Sequence, residues 1–222
     1  PLALSTPSAS TGWGASIARH RVLRNTYALL SMTLLFSAAI AGLAVALQAP
    51  PAGLVITLVG YFGLLFLVHK LQHSGWAIPV VFALTGFMGY TLGPVLAKHL
   101  ALPGGAQTIA LALGATGATF LALSAWVLAS RRDFSFMGGF LFAGMVIALL
   151  AGLGAVFLQL PALSLAVSAM VALLSAGMIL FETSRIVNGG ETNYVLATVG
   201  LFVSLFNLFT SLLSLFGFGS ND

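Results

Sequence analysis

The sequence predicts an all-α protein, a polytopic membrane bundle of seven transmembrane helices. Three observations carry that prediction. Of 222 residues, 59% are hydrophobic and 5% are charged, whereas a soluble domain has about a quarter of its residues charged. Mean hydropathy is +1.09. The apolar residues come in runs of about 20, the length an α-helix needs to cross hydrocarbon. Eight Lys and Arg and four Asp and Glu cannot wet a globule of this size, so lipid is the expected solvent for most of the surface. The net charge of +4 and the pI near 10.0 then read as cationic loops beside a bilayer, not as a nucleic-acid surface. With no cysteine, disulfides, thiolate chemistry and cysteine-bound metals are excluded.

Each element follows from a break in the apolar pattern. Residues 1–18 are rich in Ser, Ala, Gly, Thr and Pro without a periodic apolar face, and read as a flexible tail. Residues 19–222 form the seven-helix domain. The chain begins at Pro1, without an initiator methionine, which leaves the native start open. Arg19, Arg21 and Arg24 precede an apolar run too long for a cleaved signal peptide, so the run is a first span that stays. Pro50-Pro51 splits the uncharged stretch from Asn25 to Val68, because proline sits inside a helix only at a cost. The spans are Asn25–Leu47, Ala52–Leu71, Trp76–Ala97 and Gly105–Ala129, the last two parted by Pro103-Gly104-Gly105. After Arg131-Arg132-Asp133 come Ser135–Leu158 and Ala162–Ser184, broken at Gln159-Leu160-Pro161. Gly189-Gly190 turns the chain into the last span, Asn193–Gly217, with Thr192 or Asn193 as its cap.

Counted on alternate sides, the loops give orientation. One side holds Arg19, Arg21, Arg24, Lys70, Arg131, Arg132 and Arg185, and the other holds Lys98 alone. Seven against one is a positive-inside signal. It places the N-terminus in the cytoplasm and, with an odd number of spans, the C-terminus outside.

No constellation for catalysis stands out. All four histidines (His20, His69, His73, His99) sit at span ends with no adjacent Glu, so the H-E-x-x-H arrangement of a zinc protease is missing. Asp133 falls in a loop and Asp222 at the terminus, which leaves no aspartate pair within spans. No base lies at mid-membrane depth to activate a serine. A non-enzymatic protein without metal or cofactor is expected.

Other residues are more telling. Gly86, Gly89 and Gly93, followed by Pro94, form a small-residue series ending in a helix break, and read as a close helix contact. Gly138-Gly139, Gly144, Gly152 and Gly154 read the same way. In the last span Asn193, Ala197, Gly200, Ser204, Asn207, Ser211 and Ser214 recur at steps of four and three, one face of a helix. Such a stripe has no use against lipid. It fits a central helix whose hydroxyls bond across to neighbours, and, less well, the wall of a polar pathway. Glu182 is the one acid inside a predicted span. A lone carboxylate there must pair, take up a proton or face a cavity. Arg185, three residues on, is a local ion partner on the same face; a protonatable gate is the equal alternative.

Taken together, several motifs resemble the Bax-inhibitor family, also called the transmembrane Bax-inhibitor-motif family, and its bacterial branch most closely. They are Val22-Leu23-Arg24-Asn25-Thr26-Tyr27, Thr85-Gly86-Phe87-Met88-Gly89-Tyr90-Thr91-Leu92-Gly93-Pro94, Arg131-Arg132-Asp133-Phe134-Ser135-Phe136, Phe181-Glu182-Thr183-Ser184, Gly189-Gly190-Glu191-Thr192-Asn193-Tyr194 and Ser204-Leu205-Phe206-Asn207-Leu208-Phe209. The resemblance covers nearly everything from Arg21 onward. It implies a seven-helix fold with the last helix central. For the bacterial branch it implies an inner-membrane protein that binds and modulates the membrane-anchored ATP-dependent protease FtsH, alongside the HflK/HflC partners of that protease, as a slow substrate or competitor. For other members it implies a pH-modulated calcium leak, closed by an acid pair on helices six and seven with a basic residue on helix two. Glu182 matches the acid of helix six. Ser204 stands where the seventh-helix aspartate would be, and Lys70 or His69 is the candidate basic partner. Missing that second acid, the chain fits the leak less well than the protease modulator.

Overall fold

A computed structural model describes the backbone of residues 10–219 and the side chains of residues 20–218. Seven α-helices account for nearly all of it: α1 (Ser10–Ala46), α2 (Leu54–Leu71), α3 (Ala77–Leu100), α4 (Gly105–Ser130), α5 (Gly138–Leu158), α6 (Pro161–Asn188) and α7 (Tyr194–Gly219), with a short 3-10 turn at Ser135–Met137. All seven are long and apolar enough to span a membrane. The backbone groups are therefore satisfied within each helix, the condition for a chain to cross hydrocarbon. The protein is an all-α membrane bundle, as composition required.

α7 stands in the middle. It packs against α1, α3, α4 and α6, whereas α2 leans on α3 and α5 on α6. Half of the most apolar stretch of α7 is buried, against 6% for α2. The core runs along α7 through Val195, Leu201, Phe202 and Leu205, met by Leu30, Leu84, Ile179 and Ile186 from its neighbours. The outer surface is apolar too: Leu35, Val55, Phe140, Phe157 and Leu173 are all exposed. In lipid such exposure costs nothing, and helix association rests on close van der Waals packing instead.

That packing is clearest between α1 and α3. A Cβ on Gly89 would collide with the Ser37 carbonyl oxygen, one on Gly93 with the Ala44 side chain, and one on Gly86 would lie 2.9 Å from the Phe36 ring. The facing residues on α1, Ser37, Ala41 and Ala44, are small in turn. At these three glycines α1 leaves no room for a Cβ. On α5, Gly138 and Gly144 abut Phe181 and Leu174 of α6, but Gly139 and Gly154 meet nothing within 4 Å and are not packing glycines.

One boundary and one expected helix break differ from expectation. α1 extends back to Ser10, so residues 10–18, expected as tail, begin the first helix; residues 1–9 lie outside the described residues. No proline or paired glycine separates Ser10 from Arg19, so nothing stops the helix of the first span from extending outward. Pro94 does not end α3, which continues to Leu100. Membrane helices accommodate a proline because neighbouring helices hold the segment in place, and Gly93 beside it is clamped against α1.

Candidate functional site

Of the residues singled out by sequence, Glu182, Arg185 and Lys70 lie at one end of the bundle, where α1 begins and α2, α4 and α6 finish, while the glycine series with Pro94, and Asn207, lie further along α3 and α7. α6 carries Phe181-Glu182-Thr183-Ser184 to that end, and each of the four meets a different neighbour. Phe181 lies under the Arg185 guanidinium, 5.4 Å from ring centroid to Cζ. The Thr183 hydroxyl is 3.4 Å from that of Ser124 on α4. Ser184 Oγ accepts the Phe134 N–H at 2.8 Å and donates to the Arg132 carbonyl at 3.2 Å. Asn188 Nδ2 reinforces the tie, donating to the Arg132 carbonyl and to Ser184 Oγ, each at 3.3 Å. The Arg-Arg-Asp loop is therefore stitched to α6, a contact fifty residues apart in sequence.

Glu182 is buried between α6 and α7, only 8% exposed. It fits there because its neighbour is Gly200: a Cβ at that position would sit 2.8 Å from both Cδ and Oε1 of the carboxyl group. The carboxylate borders a cavity of about 260 Å³ whose other walls include Tyr61 and His69 of α2, Arg185, Glu191 and Ser204. Among the described residues it accepts no hydrogen bond. Its ionic partner is Arg185, with Nη1 to Oε2 at 3.7 Å. Such a carboxylate at the edge of hydrocarbon needs a counter-charge or a cavity to face; Glu182 has Arg185 for the first and borders the second.

Arg185 turns most of its charge elsewhere. Its Nη2 donates to Glu191 Oε2 at 3.0 Å, the shorter and better-formed of its two ion pairs. Glu191 Oε1 in turn accepts the Asn193 N–H at 2.9 Å. Asn193 caps α7, its Oδ1 accepting the Val195 N–H at 2.9 Å. Its Nδ2 reaches the carbonyl and the side-chain oxygen of Gln72 just past α2, each at 3.3 Å. Gly189, left-handed with φ 80°, ends α6 and lets the chain double back so that Glu191 can reach Arg185.

Sequence reasoning missed Glu191. The Ser204 substitution suggested that a second acid was lacking, yet the loop between α6 and α7 supplies one to the same cavity. The signal was present in Gly189-Gly190-Glu191: a tight turn at the two glycines returns the acid, six residues beyond Arg185, to the arginine. Lys70, a candidate basic partner, is exposed at the end of α2 and joins no ion pair among the described residues. Its neighbour His69 lines the cavity instead, because one residue around a helix changes facing by about 100°.

The polar stripe also behaves differently from expectation. Gly200 and Ser204 do face the cavity. However, the Ser204 hydroxyl donates to the Gly200 carbonyl at 2.8 Å, and Ser214 to that of Thr210 at 3.0 Å. Both are bonds within α7, not across to a neighbour. A serine hydroxyl inside a helix can bond back to the carbonyl four residues earlier and so needs no partner on a neighbouring helix. Asn207 stands one turn beyond Ser204, half-buried and outside the cavity. Ser214 borders a separate cavity at the other end, with His99, Ser164 and Ser168. Buried Leu208, Phe209 and Leu213 occupy the length of α7 between the two.

Fold and site together define a class: a seven-helix integral membrane protein with a carboxylate–guanidinium cluster beside its central last helix. Comparison with known proteins gives the family. The family described as "Inhibitor of apoptosis-promoting Bax1" matches residues 19–221, and the chain belongs to this Bax-inhibitor family. It is 53% identical over 206 residues, covering 93% of this chain and 94% of the relative, to the "Modulator of FtsH protease YccA" of Escherichia coli K12. The same identity and coverage relate it to an "Inner membrane protein YccA" from a second Escherichia coli strain. An uncharacterized Pseudomonas aeruginosa protein is 48% identical over 201 residues, covering 90% of each chain.

Proposed function

We propose that this chain binds and modulates the membrane-anchored protease FtsH in the bacterial inner membrane, together with the HflK/HflC partners of that protease. The observation that carries the reading is the 53% identity to a named FtsH modulator over 93% of the chain. The fold offers a physical route. FtsH uses ATP to draw substrates out of the membrane, and extraction is slow when helices are interlocked. Here α7 is enclosed by four others, and the connections between helices run from two to seven residues, which leaves little loop to seize. A chain that binds but is extracted slowly occupies the protease and spares other substrates. In this reading the N-terminus and the Arg-rich end lie in the cytoplasm, on the side of the protease, and the C-terminus in the periplasm. The protein acts by binding, not as an enzyme.

Co-purification from native membranes tests it. A tagged full-length chain should bring down FtsH, and raising its level should lengthen the lifetime of a known FtsH substrate. Purification without FtsH overturns the reading.

A proton-modulated calcium or cation leak is the second reading, favoured by one observation: Glu182, Arg185 and Glu191 share a cavity at the cationic end. Flux from liposomes discriminates. Under the modulator reading Glu182→Gln leaves cation permeability unchanged; a leak insensitive to pH in that variant would replace it.

A further inference from the structure

A second polar feature lies at the same end but on the opposite side of α6, away from the Glu182 cavity. α1 and α4 touch through Tyr27 and Phe120, ring centroids 6.0 Å apart. Beyond this contact, toward the cationic end, they leave a crevice. It comprises a cavity of about 700 Å³ and an adjoining one of about 210 Å³ that share His20, Leu23 and Leu128 as walls. The larger volume is in the range of small-molecule sites, about 300–1,000 Å³.

The lining has one sign of charge. Arg21 and Arg24 border the larger cavity and Arg131 the smaller, and among the described residues no carboxylate lines either. None of these three guanidinium groups has an ion partner among the described residues, where Arg185 holds both ion pairs. Tyr27, which also borders the larger cavity, has a buried hydroxyl without a hydrogen-bond partner among the described residues. A buried hydroxyl is seldom left unpaired. Three unpaired guanidinium groups and a free hydroxyl form a donor set without an acceptor. Arginine is suited to a phosphate, which it can bind through two parallel hydrogen bonds.

We propose that this crevice binds a phosphate group, carried by an anionic phospholipid headgroup or by a soluble phosphate ester. Its position favours the lipid. The apolar span of α1 begins at His20 and that of α4 ends at Ser130, so Arg21, Arg24 and Arg131 stand where headgroups begin. Leu128 is 38% exposed at the mouth, an apolar wall for the start of an acyl chain. The site is independent of the Glu182 cluster and of the proposed action on FtsH.

The test uses the purified full-length protein in neutral detergent, with phosphatidylglycerol, phosphatidylcholine and glycerol phosphate as probes. Native mass spectrometry reads retained lipid, and calorimetry reads the soluble ester. Expected is a preference for phosphatidylglycerol over phosphatidylcholine that falls about tenfold in Arg24→Gln with Arg131→Gln. The same charge removed elsewhere, Lys70→Gln with Lys98→Gln, should change it by less than about twofold. Both arginines are exposed and unpaired, so either single variant serves should the double variant fail to fold. Glycerol phosphate bound through the same arginines, with no lipid preference, assigns the site to a soluble ester; phosphatidylglycerol bound without it assigns the site to lipid. Equal losses in the two double variants mean diffuse attraction to a basic surface and overturn the proposal. So does the absence of binding by both phosphate probes.

Discussion

Gly200 on α7 and Glu182 on α6 occupy one another's space: the hydrogen at Gly200 leaves room for the carboxyl group, which a Cβ would approach to 2.8 Å. The pair predicts a thermodynamic coupling. Gly200→Ala alone gains about 1 kcal/mol of helix propensity but must displace the carboxylate, so the two effects roughly cancel. In a Glu182→Ala background the obstacle is gone, and the same change should stabilise by about 1 kcal/mol. Unfolding in mixed micelles for the four proteins of the cycle gives the interaction term. Equal effects of Gly200→Ala in both backgrounds would show that the two residues are not coupled.

Gly89 offers a sharper contrast. Its missing Cβ faces the Ser37 carbonyl, backbone that cannot swing aside, so Gly89→Ala must push α1 and α3 apart. A cost of about 1–3 kcal/mol is expected, as for an overpacked core. Gly114 and Gly117 on α4 meet nothing within 4 Å. Alanine at either should be neutral or stabilising by up to about 1 kcal/mol. Comparing the melting of the three variants checks whether the glycines of α3 are structural.

Ser184 holds the loop after α4. Ser184→Ala leaves the Phe134 N–H without its 2.8 Å acceptor and leaves the Arg132 carbonyl to Asn188 Nδ2 alone. A loss of about 1–2 kcal/mol follows for a part-buried polar pair. Hydrogen exchange at Phe134 should rise in this variant, while exchange in the core of α7 stays slow. Unchanged protection at Phe134 would remove Ser184 from this role.

Asp133 gives the same loop a pH dependence. Hydrogen bonds from Ser135, first its side chain and then its backbone N–H, hold the Asp133 carboxyl below its ordinary value of 3.8. A folded-state value that is depressed adds stability above the ordinary value, and that stability is lost as pH falls through the folded one. Asp133→Asn should therefore be the less stable protein at neutral pH, with the gap closing below about pH 4. Melting curves from neutral to acid pH check this. A gap independent of pH would mean the carboxylate charge contributes nothing.

Orientation is tested by fusion. The seven-to-one loop asymmetry predicts that an alkaline phosphatase fused after Asp222 is active and that a cytoplasmic reporter at the same place is silent. The reverse pattern would turn the whole bundle over, carrying the Glu182 cluster to the periplasmic side.

Much of the architecture was legible because lipid imposes strict local rules. A span needs about 20 apolar residues, so Pro50-Pro51, Pro103-Gly104-Gly105 and Gly189-Gly190 marked the breaks without knowledge of what packs on what. The stripe from Asn193 to Ser214 identified α7 as the helix that does not face lipid. Where local rules ran out, the reading erred. Pro94 breaks an isolated helix, but in the bundle α1 supports it. Residues 10–18 lack an amphipathic pattern, yet the helix of the first span propagates into them.

The sequence by itself determined that this is a seven-span membrane protein of the Bax-inhibitor type, with Glu182 as its one acid within a predicted span and seven of its eight cations on one side by the loop count. Those properties depend on composition, run length and order along the chain. Tertiary structure decided which groups meet. It gave Arg185 to Glu191 more closely than to Glu182, brought His69 rather than Lys70 to the cavity, and set Gly200 against the carboxylate. It also opened the arginine-lined crevice between α1 and α4. Those outcomes depend on the rotation of each helix about its axis and on where a turn returns the chain. Neighbouring helices fix both, and no local stretch of sequence does.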